Sequence, residues 1–290
     1  MARLHIPDQT GRTHLVTGAN TGIGLATAQG LAQAGARVFV HARNEEKAEA
    51  ARNKIIDATG NKDVHTFVCD LAVQDEIRSA AAGLVAQIDR LDGLIHNAGV
   101  WRREKEHTVD GFEQTIAVNH LAPFLLTHQL LPLLKTSAPA RVVNVASQAH
   151  RHVSLDPDDP LAQHSGSDWR QYQRSKLMNV LFTRELAKRL EGTGVTANCL
   201  HPGVVATDLF RSLPGFLEPV VKLFLITPET GARTSLYLAT SPEVQDVSGR
   251  YFIRWKPRTP SRAARDDAMA RRLWEASCEA TSVDRYGQDR

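Results

Sequence analysis

Tyr172 and Lys176 stand four apart in a run of helical periodicity that continues through Asn179, Leu181, Phe182, Leu186 and Leu190. On a helix that spacing places both polar ends on one face, where they can meet at one reacting atom. A phenol keeps its proton to a pH of about 10. A fixed ammonium beside it favours the phenolate, lowers that pKa and makes the hydroxyl a usable general acid or base. Amphipathic helices also produce this spacing with a packed tyrosine and a solvated lysine, so the pair gains meaning only from company elsewhere. Two further polar residues offer it. Ser147 follows the β-prone run Arg141–Ala146, at a strand end of the kind where α/β sheets keep reactive groups. Asn119 interrupts an apolar stretch, and a buried amide there needs partners.

Other chemistries are weaker. His150, His152 and His164 share the polar loop between Ser147 and Tyr172, but they are interleaved with Arg151 and have no acidic ligand at metal spacing. No metal site is expected. Cys69, Cys199 and Cys278 are far apart and odd in number, which fits a reducing compartment.

The elements that must position Tyr172 begin with a nucleotide signature. A strand over Thr13–Thr17 runs into Gly18-Ala19-Asn20-Thr21-Gly22-Ile23-Gly24 and then a helix from Leu25 to Ala34. Glycines let backbone approach a pyrophosphate, and the helix N-terminus beyond offers unpaired N–H groups; a merely flexible turn is the competing reading. The second strand, Arg37–His41, ends without the acid that would bind a ribose 2′-hydroxyl. Arg43 stands just beyond it, and its guanidinium suits a 2′-phosphate, so NADP(H) is favoured over surface pairing of Arg43 with Glu45 or Glu46. Asp70-Leu71 closes the third strand, where Asp70 could accept from an adenine amine or cap the next helix. Asn97-Ala98-Gly99 closes the fourth, with small residues that let a cofactor lie across a sheet.

Strand and helix patterns alternate along nearly all 290 residues without repeat or linker. This predicts a single α/β domain over residues 1–290, doubly wound and Rossmann-type, around a central parallel sheet. A helix is expected from Thr108 to Leu134 with a kink at Pro123, an irregular loop from Gln148 to Arg170, and a last strand over Gly249–Ile253. The net charge of +3 is too small for a phosphate-tracking surface, so no nucleic-acid partner is expected. No apolar run reaches membrane-span length and no signal-peptide centre stands at the N-terminus, so a cytoplasmic protein is expected. The apolar stretch 213–226 reads first as part of a lid, over 205–226, on a lipophilic substrate, then as a dimer contact or membrane-surface helix.

The ordered set Thr17–Gly24, Asp70, Asn97-Ala98-Gly99, Asn119, Ser147, Tyr172 with Lys176, and Pro202-Gly203 resembles the classical short-chain dehydrogenases/reductases over roughly residues 13–255. Ser175-Lys176-Leu177, Asn179–Leu190, Gly192–Thr196, His201–Val205 and Arg271–Glu275 are similar to the retinol dehydrogenase branch and its relative, the WW-domain oxidoreductase. The 25 positions from Ser147 to Tyr172, a longer separation than the wider family's, fit that branch too.

The resemblance implies Tyr172 as proton donor or acceptor, Lys176 lowering its pKa and holding the nicotinamide ribose, Ser147 binding the substrate oxygen and Asn119 organising a proton relay. It also implies that Asn97–Gly99 and Pro202, Gly203, Val205 and Thr207 line the nicotinamide side. The expected activity is NADP(H)-dependent interconversion of an alcohol with an aldehyde or ketone, chiefly in reduction, on a lipophilic or bulky small-molecule substrate. A catalytically idle NADP-binding redox sensor or scaffold is the alternative, against which Asn119, Ser147, Tyr172 and Lys176 all stand. A homo-oligomer pairing through the Tyr172 helix is a candidate assembly.

Overall fold

The computed structural model describes residues 5–101, 106–163, 168–203 and 226–286. Among these, the strands β1 (Thr13–Val16), β2 (Arg37–Ala42), β3 (Val64–Val68), β4 (Gly93–His96), β5 (Ala140–Val145), β6 (Val195–His201), β7 (Tyr251–Ile253) and β8 (Lys256–Arg258) form one sheet in the order β3-β2-β1-β4-β5-β6-β7-β8. All neighbours are parallel except β7 and β8. The helices are α1 (Gly22–Gln33), α2 (Glu45–Thr59), α3 (Gln74–Val85), α4 (Gln114–Ile116), α5 (Ala122–Thr136), α6 (Asp168–Arg189), α7 (Pro228–Thr240) and α8 (Asp267–Ala280).

Parallel strands covered on both faces must be apolar on both, and β1 is buried at every position. Successive residues serve opposite layers. Leu15 joins the core with Leu84 of α3 and Leu125 of α5, whereas Val16 joins the core with Leu31 of α1 and Leu236 of α7. The register Leu15↔Leu94 and Val16↔Ile95 pairs β1 with β4, where the strand order reverses. The carboxyl ends of β1, β4, β5 and β6 therefore lie side by side, and that crevice is where an open α/β sheet receives a ligand.

Three elements differ from the sequence reading. The expected helix from Thr108 is broken: α4 is one turn, Ala117–Leu121 form a π turn, and α5 starts at Ala122 with Pro123 in its first turn. Pro123 has no N–H to give the carbonyl of Asn119, and its ring crowds that carbonyl, so the ladder widens at Asn119 instead of kinking at the proline. The loop after Ser147 holds a 3₁₀ turn over Gln148–His152, and α6 already begins four residues before Tyr172. The parallel sheet ends in an antiparallel edge strand, β8, joined to β7 through Arg254 and Trp255, both at positive φ of 49° and 51°. Its residues Lys256-Pro257-Arg258 are exposed, so no apolar pattern marks it.

At the other end of the chain, α8 starts on an Asp266 cap that accepts from Ala268 N and Met269 N at 3.0 Å and packs along α6. Asp267 pairs with Arg184 at 2.9 Å and Lys188 at 3.1 Å, both on α6. Part of the outward surface of α6, the candidate contact with a second copy, is thus taken by this chain's own α8. Among the described residues no helix is long and apolar enough to cross a membrane. The expected lid lies outside the described residues apart from Ile226, as do Val205, Thr207 and His164.

Candidate active site

At the β1–α1 turn, Gly18 has φ +61°, and a side chain there would press on Ala98, 2.9 Å from its Cα. A Cβ on Gly24 would run into Gly18 O and Asn97 Nδ2. Glycine is therefore required at both positions for the turn to close against the end of β4. Asn97 completes the closure, its Nδ2 donating to Thr17 O at 2.9 Å and Gly18 O at 3.1 Å. Thr17 Oγ1 accepts from Asn97 N and Ala98 N, each at 3.0 Å. Thr21 precedes α1 without making a side-chain cap, so the first-turn N–H groups of Gly22, Ile23 and Gly24 are not taken by it. Asn20 is half-buried and Thr21 exposed on the same turn. A cradle of small residues leading to an uncapped helix N-terminus fits a dinucleotide pyrophosphate.

His41, read from sequence only as the end of a strand, turns out to hold this turn. Its Nδ1 accepts from Gly18 N at 2.9 Å, which puts the ring proton on Nε2, 3.1 Å from Cys69 O. Burial pushes its pKa down to about 4, consistent with a neutral ring. The signal was an imidazole inside an apolar strand, where a polar ring must find partners. Arg43, just beyond, is exposed and makes no ion pair among the described residues, so the expected surface alternative with Glu45 or Glu46 is not formed. Asp70 does not cap α3, whose first cap position is Val73. It accepts instead from Ala72 N at 2.9 Å, and Leu71 beside it is buried.

Asn119, Ser147, Tyr172 and Lys176 come together at the ends of β4 and β5. Asn119 is fully buried and satisfied on both sides, accepting from Val100 N at 2.7 Å and donating to Val100 O and Ser175 Oγ at 2.9 Å each. The widened π turn is what points this amide at the sheet end. Ser147 caps the 3₁₀ turn, its Oγ accepting from Ala149 N at 3.2 Å, and its hydroxyl lies near enough to the Tyr172 phenol to act against the rise in that group's pKa. His150 steadies this turn by an Nδ1–H bond to Ser147 O at 2.5 Å, while its Nε2 accepts from Ser261 N at 3.2 Å. Lys176 Nζ donates to Val145 O at 3.1 Å and lies 5.6 Å from the Tyr172 ring centroid. A Cβ on exposed Gly99 would sit 3.1 Å from Nζ, so that glycine leaves the ammonium open from the β4 side. Pro202 and Gly203 follow β6 on the same edge.

One expectation is reversed. Burial pushes the Tyr172 pKa up to about 12, and the nearby Ser147 hydroxyl, acting the other way, only partly offsets it. Lys176 is itself brought down to about 8 by burial. In this buried pocket desolvation outweighs the attraction that the four-residue spacing suggested.

The short chain dehydrogenase family profile matches residues 12–215, which takes in the glycine turn, the buried amide, Ser147, Tyr172 and Lys176. The chain is a short-chain dehydrogenase. It is 47% identical to dehydrogenase/reductase SDR family member 13 of Bos taurus, covering 92% of this chain and 72% of that one. It is 43% identical to human retinol dehydrogenase 14, covering 92% and 85%. The solved Pseudomonas aeruginosa RhlG/NADP active-site complex is similar at 31% identity and a TM-score of 0.70, over 84% and 95% of the two chains. This short-chain dehydrogenase therefore belongs to the classical, retinol-dehydrogenase-like branch and is a nicotinamide-dependent oxidoreductase.

Proposed function

We propose that the protein reduces an aldehyde or ketone to an alcohol with NADPH, on a lipophilic substrate, with the reverse oxidation open to it. The observation that carries the reading is the grouping of Ser147 with Tyr172, and Lys176 Nζ 5.6 Å from the phenol ring centroid. When bound, the nicotinamide supplies the hydride. Ser147 holds the substrate oxygen, and Tyr172 gives that oxygen its proton as carbon is reduced. A phenol kept protonated by burial is already in the state a donor needs, which favours reduction. Lys176 stabilises the phenolate left behind and holds the nicotinamide ribose. Asn119 holds Val100 and Ser175 in place and orders the proton path behind Lys176.

The dinucleotide would be held by Gly18, Asn20, Thr21, Gly22, Ile23 and Gly24 at the pyrophosphate, with Asp70 and Leu71 at the adenine. Asn97, Ala98, Gly99, Pro202, Gly203, Val205 and Thr207 would line the nicotinamide. NADP(H) rather than NAD(H) is supported by an exposed Arg43 at the end of β2 where no acid stands. A single domain with a lid over 205–226 and a cytoplasmic site complete the reading. It is tested by NADPH oxidation with a panel of lipophilic aldehydes and ketones, beside Tyr172→Phe. The parent should turn over at least one carbonyl and the variant should lose about 10²-fold or more. Equal rates would remove Tyr172 from the chemistry.

A further inference from the structure

Trp169 lies one helical turn before Tyr172 on α6, and its indole stacks on the phenol ring with centroids 5.3 Å apart and planes 22° apart. Trp101, two residues beyond Gly99, meets the same indole edge-on, at 5.4 Å and 71°. The two tryptophans come from separate parts of the fold. Each is nonetheless held: Trp169 by α6, and Trp101 by its neighbour Val100, which Asn119 grips at both N–H and carbonyl.

Several other aromatic side chains among the described residues are core. Phe124, Phe252 and Trp274 are 0%, 2% and 4% exposed, whereas Trp169 is 42% exposed. The other large apolar side chains exposed among the described residues, Val85 and Val109, lie on α3 and in the turn before α4. An indole stacked on a candidate proton donor and met by Trp101 still leaves part of its surface open. A flat, π-rich ligand can use it by offset stacking or edge contact, which a saturated group of the same size cannot reproduce.

We infer that Trp101 and Trp169 form an aromatic wall that selects aryl aldehydes and aryl ketones, with Trp169 as the specificity-determining residue. The inference rests on the oxidoreductase reading of this site and adds the chemical class of its substrate. A ring against Trp169 would carry its carbonyl toward the Ser147 and Tyr172 hydroxyls, so that the wall acts through substrate binding and leaves the proton chemistry to Tyr172.

The test uses pairs that differ only in aromaticity. Reduction of benzaldehyde is compared with cyclohexanecarbaldehyde in the full-length wild type, Trp169→Leu and Trp169→Phe. Binding of 2-naphthylmethanol is compared with decahydro-2-naphthylmethanol by calorimetry in the same three proteins. The wild type should prefer the aryl member of each pair by about tenfold, the scale such ring contacts support. Trp169→Leu should lose that preference through KM and Kd, with kcat for the saturated aldehyde within about threefold, and Trp169→Phe should regain most of it.

A uniform fall in kcat for both aldehydes would mean that Trp169 only braces Tyr172 and would overturn the inference. So would wild-type binding without aryl preference. If no carbonyl is turned over but the naphthyl preference and its dependence on Trp169 persist, the wall stands as a binding feature and the reductase reading fails instead.

Discussion

Asn119 donates its amide to Ser175 Oγ at 2.9 Å, and Ser175 Oγ in turn donates to Tyr172 O at 2.8 Å. The π turn before α5 is thereby tied to the α6 backbone that carries both Tyr172 and Lys176. Ser175→Ala should leave a buried Asn119 N–H without this partner and destabilise the fold by about 1–3 kcal/mol. Chemical denaturation of the variant would show it as a lower midpoint with an unchanged m-value, and carbonyl reduction should weaken at the same time.

The two shifted groups on α6 make a pH prediction. Across pH 6 to 10 the Tyr172 phenol, pushed up to about 12, stays protonated, while the Lys176 ammonium, brought down to about 8, is lost as pH rises. Reduction should therefore run level below pH 8 and decline by about tenfold per unit above it. Lys176→Met should be slow at every pH and lack the inflection. A wild-type profile level to pH 10 would show that the Lys176 charge is not used.

Arg43 offers a separable test of cofactor choice. Arg43→Ala should weaken NADPH binding by at least tenfold and leave NADH binding within about twofold, because only the former carries the 2′-phosphate. Titration of each dinucleotide by protein fluorescence measures both constants. Equal losses would point to a general electrostatic role for the guanidinium.

Buried histidines should make the fold acid-sensitive. His14, His41 and His201 are held down to about 4, and His96 and His120 to about 3, in every case chiefly by burial. Each folded-state pKa lies below the unfolded value of about 6.5, so the unfolded chain binds more protons once pH drops under that value. Stability should be level above about pH 6.5 and fall steadily toward pH 4. Thermal unfolding at pH 7.5, 6 and 5 would reveal the trend, and a melting temperature insensitive to this range would mean that these rings are not neutral in the fold.

Much of the site can be read in the chain before any fold is known. The strand and helix alternation, the Gly18–Gly24 turn, Arg43 without an acid beside it, and the Tyr172–Lys176 spacing are local, and local periodicity and backbone freedom determine them. What depends on distant residues is not legible. His41 reaching Gly18, Ser261 reaching His150, and Trp101 meeting Trp169 join positions whose sequence separation carries no signal.

The π turn and β8 were missed for opposite reasons: Pro123 displaces its effect to the carbonyl four residues earlier, and Lys256-Pro257-Arg258 has no buried face to pattern. The clearest case is Tyr172 itself. Spacing alone brought a lysine near its phenol and pointed its pKa downward. Tertiary burial pushed it up, because desolvation sums over every neighbour the fold packs around the ring, and a single ammonium nearby is only one of them.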